Sequence, residues 1–334
     1  MVTRKGTVLL MAKPFFPWMG NKEKLVPYIH QLIPPHVKQF TEVFGGSGAV
    51  ILGLQPKKGR LDIYNDLNDD LFNVFCCVKE KSFSLAKELK FLPVHGRTPF
   101  AFYRDMAAHE PDFYRHIEEE KRVVAESTCF TEEEIRELLT ILDGNAKFFD
   151  VRRAAAFLFT TYGSFSGTGN SVGIKTVDPQ AIVDKLPQVS RRLDSVFLEH
   201  QDALVLIPKE DRPDGIIYAD PPYMLTEKVY DVRFLPEHHI VLHDRASSCK
   251  GYVIISYGYH EQIFDLYKDD FFIVSLKRTN PLSQTEGSTF RELIITNYDP
   301  SPYLNKQLDI FGQASDAMWE PVILNRPHRI LKVD

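Results

Sequence analysis

Apolar runs in this chain are short. The one near the start, Val8-Leu9-Leu10-Met11, falls short of a signal-peptide core and far short of a bilayer span. Met11-Ala12-Lys13 reads as an alternative true start, with residues 1–10 a disordered extension. Cysteine is scarce: the four positions, Cys76, Cys77, Cys129 and Cys249, match neither a metal-ligand spacing nor a disulfide framework. The adjacent pair sits on an apolar stretch and reads as buried thiols of a reducing, cytoplasmic compartment. Positive charge is not in excess either, with 40 Lys and Arg against 45 Asp and Glu and a formal net charge of −5. A polyanionic partner would therefore have to meet a local basic surface. No internal repeat is present. What remains is an ordinary globular composition, 44% hydrophobic and 25% charged, in 334 residues, enough for one large domain or a large domain with an insertion.

The most informative stretch is Asp220-Pro221-Pro222-Tyr223. It follows Gly215-Ile216-Ile217-Tyr218-Ala219, an apolar run of strand length, which places it just past a strand's carboxyl end. Open α/β sheets bind ligands there. Two prolines fix the turn and donate no backbone hydrogen bonds, so an acid, rigid carbonyls and an aromatic face come together. Such a cradle suits a flat base with an exocyclic amine: carboxylate and proline carbonyl accept the amine's two hydrogens, and the ring stacks on the base. Asp-Pro pairs also open purely structural turns.

Upstream, Gln39 to Phe44 has a short strand pattern, followed by Gly45-Gly46-Ser47-Gly48 and the apolar Ala49-Val50-Ile51-Leu52. Strand, glycine-rich turn and helix form a Rossmann-like nucleotide-binding unit. The full dinucleotide fingerprint and the phosphate-loop Lys-Ser/Thr pair are both missing, so a nucleoside without pyrophosphate fits better. A second strand, Arg60 to Tyr64, leads to Asp66, where a ribose diol is gripped; Asp66, Asn68 or Asp69 would equally cap the next helix. Val196 to Asp202 reads as a further strand ending in an acid, Asp202, that could face the same pocket. Trp18 and Lys22, in the aromatic, proline-kinked segment before a helix over Glu23 to Gln31, either line a pocket or belong to a strap over the core.

From about Cys76 to Arg153, periodic apolar residues among many charges predict a mostly helical insertion, with Glu118 to Glu120 and Glu132 to Glu134 on solvated faces. The Gly/Ser/Asn-rich run from Tyr162 to Gly173, with Lys175, reads as a surface loop whose Ser164, Ser166 and Asn170 could approach phosphates. Strands are expected at Tyr252 to Tyr257, Phe271 to Leu276 and Leu293 to Asn297. Helices are expected at Phe234 to Ser248 and Glu261 to Lys268. Lys277 and Arg278 are placed for a phosphate or a base edge.

Taken in order, Pro17-Trp18-Met19-Gly20-Asn21-Lys22, Glu42-Val43-Phe44-Gly45-Gly46-Ser47-Gly48, Tyr64-Asn65-Asp66-Leu67-Asn68 and Asp220-Pro221-Pro222-Tyr223 resemble the motifs of the Dam-type, class alpha adenine-specific DNA methyltransferases. The stretch from Lys277-Arg278-Thr279 to Phe290-Arg291-Glu292-Leu293 extends the match, which runs from about Pro14 to Asp299. Val43 departs from the proline that family members often carry there, and the insertion matches nothing residue by residue, leaving the recognition sequence open. The resemblance implies an α/β, Rossmann-like S-adenosylmethionine-dependent methyltransferase core over 14–75 and 154–300, a helical target-recognition insertion over 76–153, and a tail over 301–334. It implies that Trp18 and Lys22 meet the cofactor's methionine end. Glu42, Phe44, Gly45, Gly46, Ser47 and Gly48 would wrap the cofactor, Asp66 its ribose and Asp202 its adenine amine. Catalysis would rest on Asp220, Pro221, Pro222 and Tyr223, with a base flipped out of double-stranded DNA and no metal. DNA contacts are expected from the insertion, the Tyr162 to Lys175 loop, Lys277 and Arg278. Methylation of structured RNA, of cytosine's amine, or an idle DNA-binding relative are the alternatives.

Near the end, Gln307-Leu308-Asp309-Ile310-Phe311 resembles the short peptide by which bacterial replication proteins bind the sliding clamp, with Gln307, Leu308, Ile310 and Phe311 as anchors. The same residues would also pack a tail onto the core.

Overall fold

The computed structural model describes residues 11–91, 110–147, 149–164, 178–223, 234–279, 289–304 and 320–327. Outside them lie residues 1–10, Ser166, Asn170, Lys175 and the Gln307 to Phe311 peptide. The strands among the described residues are β1 Gln39–Glu42, β2 Leu61–Asn65, β3 Val196–Glu199, β4 Gly215–Ala219, β5 Tyr252–Gly258, β6 Phe272–Thr279, β7 Thr289–Thr296 and β8 Glu320–Asn325. The chain folds as two compact units, one of residues 1–23, 46–56 and 68–200, the other of 24–45, 57–67 and 201–334.

The second unit holds the sheet that matters for chemistry. Its strands run in the order β2-β1-β4-β5-β7-β6-β8. The pairs β1 with β2, β1 with β4, and β4 with β5 are parallel, and those of β7 with β5, β7 with β6, and β8 with β6 are antiparallel. Every residue of β1 and β4 is buried, as expected of parallel strands covered on both faces. The order reverses between β1 and β4, so the carboxyl ends of these two strands flank the topological switch point where such sheets bind ligands. Register fixes the level: Glu42 pairs with Tyr218, and Val43 N donates to Tyr218 O at 3.0 Å. Helices Pro236–Ser248 and Glu261–Tyr267 agree with the expectations, as does strand Gly215–Ala219. Strand β8 does not: it was not anticipated in the tail, and it lines the outer edge of β6 from Ile273 to Lys277.

The first unit is largely helical. Helix Asp69–Glu80 is capped by Asn68, whose side chain accepts from Leu71 N at 2.9 Å, so Asn68 and not Asp66 makes this cap. Acids in its first turn and Lys79 in its last complement the helix dipole. Cys76 and Cys77 lie on its buried face, where burial pushes both thiols up to about 12. Helices Ser82–Phe91, Glu110–Ala125 and Glu132–Lys147 follow, the last opened by a reciprocal cap. Glu134 accepts from Thr131 N at 2.8 Å, and Thr131 Oγ1 accepts from Glu134 N at 3.3 Å. Arg192, with no exposed surface, donates to Leu54 O and Ile51 O at 3.1 and 2.9 Å. It thereby satisfies carbonyls at the end of the short helix Ala49–Gly53 that follows the glycine turn.

Candidate active site

In the second unit, the residues past β1, β2 and β4 converge. Glu42, 2% exposed, ends β1. Gly45 follows, its N–H bonded to Asn65 O at 2.8 Å. A Cβ on Gly45 would stand 2.2 Å from the Tyr64 ring, so only glycine lets the turn lie this close to β2. Asn65 ties the site's loops: its Nδ2 donates to Val43 O at 2.8 Å and to Gln201 O at 3.0 Å, while its Oδ1 accepts from Gln201 N at 2.9 Å. One buried amide thus links the ends of β1 and β2 to the segment carrying Asp202. Asp66 is half-buried just beyond β2. Asp202 is exposed and caps helix Ala203–Glu210, accepting from Leu204 N at 2.8 Å. Phe44 is held by an edge contact with Phe234 at 5.5 Å.

Asp220 is half-buried at the end of β4, with Pro221 buried behind it. Ser256 of β5 donates to Asp220 Oδ1 at 3.4 Å, and Ser256 Oγ lies 2.7 Å from the Tyr218 hydroxyl. Because serine's one proton goes to the carboxylate, Tyr218 donates to Ser256, and a buried hydroxyl chain orients the acid. Burial, reinforced by the Asp220 charge, pushes the Tyr218 hydroxyl well above its ordinary range. Tyr223 lies beside Tyr257 at 6.0 Å and 40°, and its hydroxyl donates to Glu292 of β7. Burial, then the Asp220 and Glu292 charges, pushes the Tyr223 hydroxyl well up, so it is a donor and not a base at neutral pH.

The first unit brings together another set. Trp18 packs at 6.1 Å from Phe16 and 6.0 Å from Phe157. Its indole Nε1 would stand 2.9 Å from a Cβ on Gly46, a residue at φ +50°. Lys22, 7% exposed, donates to Gly20 O at 2.9 Å. Ser47 Oγ donates to Asn21 Oδ1 at 3.4 Å, and Gly48, at φ +65°, starts helix Ala49–Gly53. Ser164, buried, ends helix Val151–Gly163 and donates to Thr161 O at 3.0 Å, so this hydroxyl is spent on its own helix. Lys277 and Arg278 lie on β6, in register with Arg291 and Phe290.

Sequence reasoning missed Asn65 as a tie, Ser256 as the acid's support and Glu292 as the tyrosine's partner. A lone serine within the apolar run Tyr252 to Tyr257 was the available signal for the second; for the third it was membership of the Phe290-Arg291-Glu292-Leu293 stretch of the resemblance, which names no partner.

A family model described as D12 class N6 adenine-specific DNA methyltransferase matches residues 18–281. The chain is 25% identical over 309 residues to the Type II methyltransferase M1.LlaDCHI of Lactococcus lactis subsp. cremoris, covering 86% of this chain and 95% of that one. It is 23% identical over 318 residues to the Type II methyltransferase M.MjaIII of Methanocaldococcus jannaschii, covering 86% and 99%. Among solved structures, protein LPL1258 of Legionella pneumophila matches 34% of this chain at 19% identity and a TM-score of 0.22, a likeness that carries no argument.

Proposed function

The chain belongs to the D12 class of N6 adenine-specific DNA methyltransferases, and from that premise we propose that it is a site-specific enzyme using S-adenosylmethionine, with the residues above as its working parts. The reading is carried by one observation: an oriented acid, Asp220, and a rigid proline carbonyl stand at the switch point of the sheet, beside an anchored tyrosine ring.

The chain's residues fit the cofactor. The Gly45 turn packs tightly against β2 beside the switch point, and carboxylates end β1 and follow β2. Glu42 and the Phe44 to Gly48 turn are assigned to wrapping it, Asp66 to the ribose hydroxyls and Asp202 to the adenine amine. Asp202 would do so with the oxygen its helix cap does not use. Trp18 and Lys22 are assigned to the methionine end. When bound, S-adenosylmethionine supplies a methyl group on a cationic sulfur.

The protein's task is then to make a poor nucleophile available. The lone pair of an adenine amine is conjugated with its ring. Asp220 and the Pro221 carbonyl, accepting the amine's two hydrogens, favour tetrahedral nitrogen and free that pair. Their attraction grows as positive charge develops on N6, so it acts on the transition state more than on the bound substrate. Tyr223 stacks on the flipped base and offsets part of an unstacking cost of about a few kcal/mol. In-line approach is a matter of positioning. Target recognition is assigned to the helical 76–153 segment, with Lys277 and Arg278 toward the phosphates. The Gln307 to Phe311 peptide is assigned to a sliding clamp. Among the described residues no helix is long and apolar enough to cross a membrane, and a cytoplasmic location is part of the same proposal.

Labelled methyl transfer tests it. Wild-type protein should label adenine in unmethylated DNA and not in total RNA, and Asp220→Ala should abolish transfer while cofactor affinity is unchanged. Transfer at the normal rate by the variant, or labelling of RNA alone, would refute the proposal.

A further inference from the structure

We propose that Gly258 and Glu292 form a seat for Tyr223 and so set the plane on which the target adenine stacks, making Glu292 a positioning residue of the reaction. The inference rests on the reading of Asp220 to Tyr223 as the methyl-accepting site.

Gly258 ends β5 and Glu292 lies on β7; the two are direct cross-strand partners. A Cβ on Gly258 would stand 2.9 Å from Tyr223 Cδ2 and 3.0 Å from Cε2. The ring therefore lies against bare backbone, where any side chain would push it away. From the neighbouring strand Glu292, only 3% exposed, accepts the Tyr223 hydroxyl. Tyr257 flanks the ring and is itself held by His239 Nδ1 at 2.8 Å from its hydroxyl.

An aromatic ring held by apolar contact alone can tilt and slide. Fixing the hydroxyl at one end and the ring's face at glycine removes that freedom. Burying a carboxylate is costly, and a hydrophobic wall would stabilise the ring without it. What the carboxylate adds is direction. The ring's plane sets the height of a stacked adenine, and hence the distance from N6 to the Asp220 carboxylate and the Pro221 carbonyl. A misplacement of about 1 Å there costs on the order of 100-fold in rate.

The test uses full-length protein with Glu292→Leu, Glu292→Gln and Gly258→Ala. The substrate is DNA amplified from a whole bacterial genome, which carries short recognition sequences unmethylated. Rate at saturating cofactor, KM for cofactor and melting temperature are read together. Glu292→Leu and Gly258→Ala should each lower kcat by on the order of 100-fold with KM for cofactor unchanged. Glu292→Gln, whose carbonyl still accepts the hydroxyl, should recover at least about tenfold of that loss. The seat is overturned if Glu292→Leu keeps the wild-type kcat. It is equally overturned if Glu292→Gln is as slow as Glu292→Leu, or if both lose activity only in proportion to melting temperature. A wild-type protein that transfers no methyl group to DNA overturns the proposed function first, and the seat with it.

Discussion

Gly45→Ala puts a methyl group 2.2, 2.5 and 2.8 Å from three atoms of the Tyr64 ring. Carbon atoms rest at about 3.5 Å or more, so ring or turn must yield by about 1 Å. Neither has slack. Tyr64 has no exposed surface, and the Gly45 N–H is bonded to Asn65 O at 2.8 Å. Overpacking of this kind costs about 1–3 kcal/mol, and a site closed on both sides belongs at the upper end, about 3 kcal/mol. Gly45 is not among the glycines with positive φ, so the cost is collision and not backbone strain. Gly59 supplies the opposite case: its φ is +81°, and nothing lies within 4 Å of an added Cβ. Gly59→Ala should therefore cost about 1 kcal/mol from backbone strain alone. Urea denaturation of both variants, with calorimetric titration of S-adenosylmethionine, separates them. Gly45→Ala should lose about three times the stability of Gly59→Ala and, if the turn wraps the cofactor as proposed, bind it at least about tenfold more weakly. Equal losses, or a Gly45→Ala protein as stable as wild type, would refute the packing and the placement of the turn.

Two further outcomes follow from the buried groups and the tail. Burial raises the thiols of Cys76, Cys77 and Cys249 from an ordinary 9.0 to about 12 and raises the hydroxyls of Tyr218, Tyr223 and Tyr257. Raised values favour the protonated, folded form, so this stability is complete below the unfolded values and is lost as pH rises toward the folded ones. Melting temperature should be flat with respect to these groups from about pH 7 to about pH 9 and should fall above that; residue-resolved NMR titration showing Tyr218, Tyr223 or Tyr257 ionising near pH 10 before any unfolding would contradict the burial. For the tail, purified sliding clamp should retain the wild-type protein, and Leu308→Ala with Phe311→Ala should lose that retention; capture unaffected by the pair would remove the clamp assignment.

Much of the second unit was legible beforehand because its signals are local. Gly215 to Ala219 is a short apolar run ended by two prolines, and a strand followed by a turn is the one arrangement that suits it. The Gly45 to Gly48 turn was legible for the same reason. The cap before helix Asp69–Glu80 was narrowed to three residues, and geometry chose Asn68, since its side chain alone sits three residues before the donor it caps. What could not be read depends on distant partners. Strand β8 contains Pro321 and a brief Val322-Ile323-Leu324 run, too little to announce a strand until β6 is there to pair with it. Helix Ala203–Glu210 contains Pro208, which argues against a helix unless burial of Leu204, Leu206 and Ile207 overrides it. Glu292 falls in a stretch that the resemblance covers, but only its encounter with Tyr223, 69 positions away, reveals its use.

Strand β8 also changes what the end of the chain is. Residues 305–319 are bracketed by helix Ser301–Leu304 on one side and by a strand stitched to β6 on the other. β6 is therefore not the edge of the sheet: without residues 320–325 its outer row of N–H and C=O groups would stand unpaired, a template on which a second chain could add a strand.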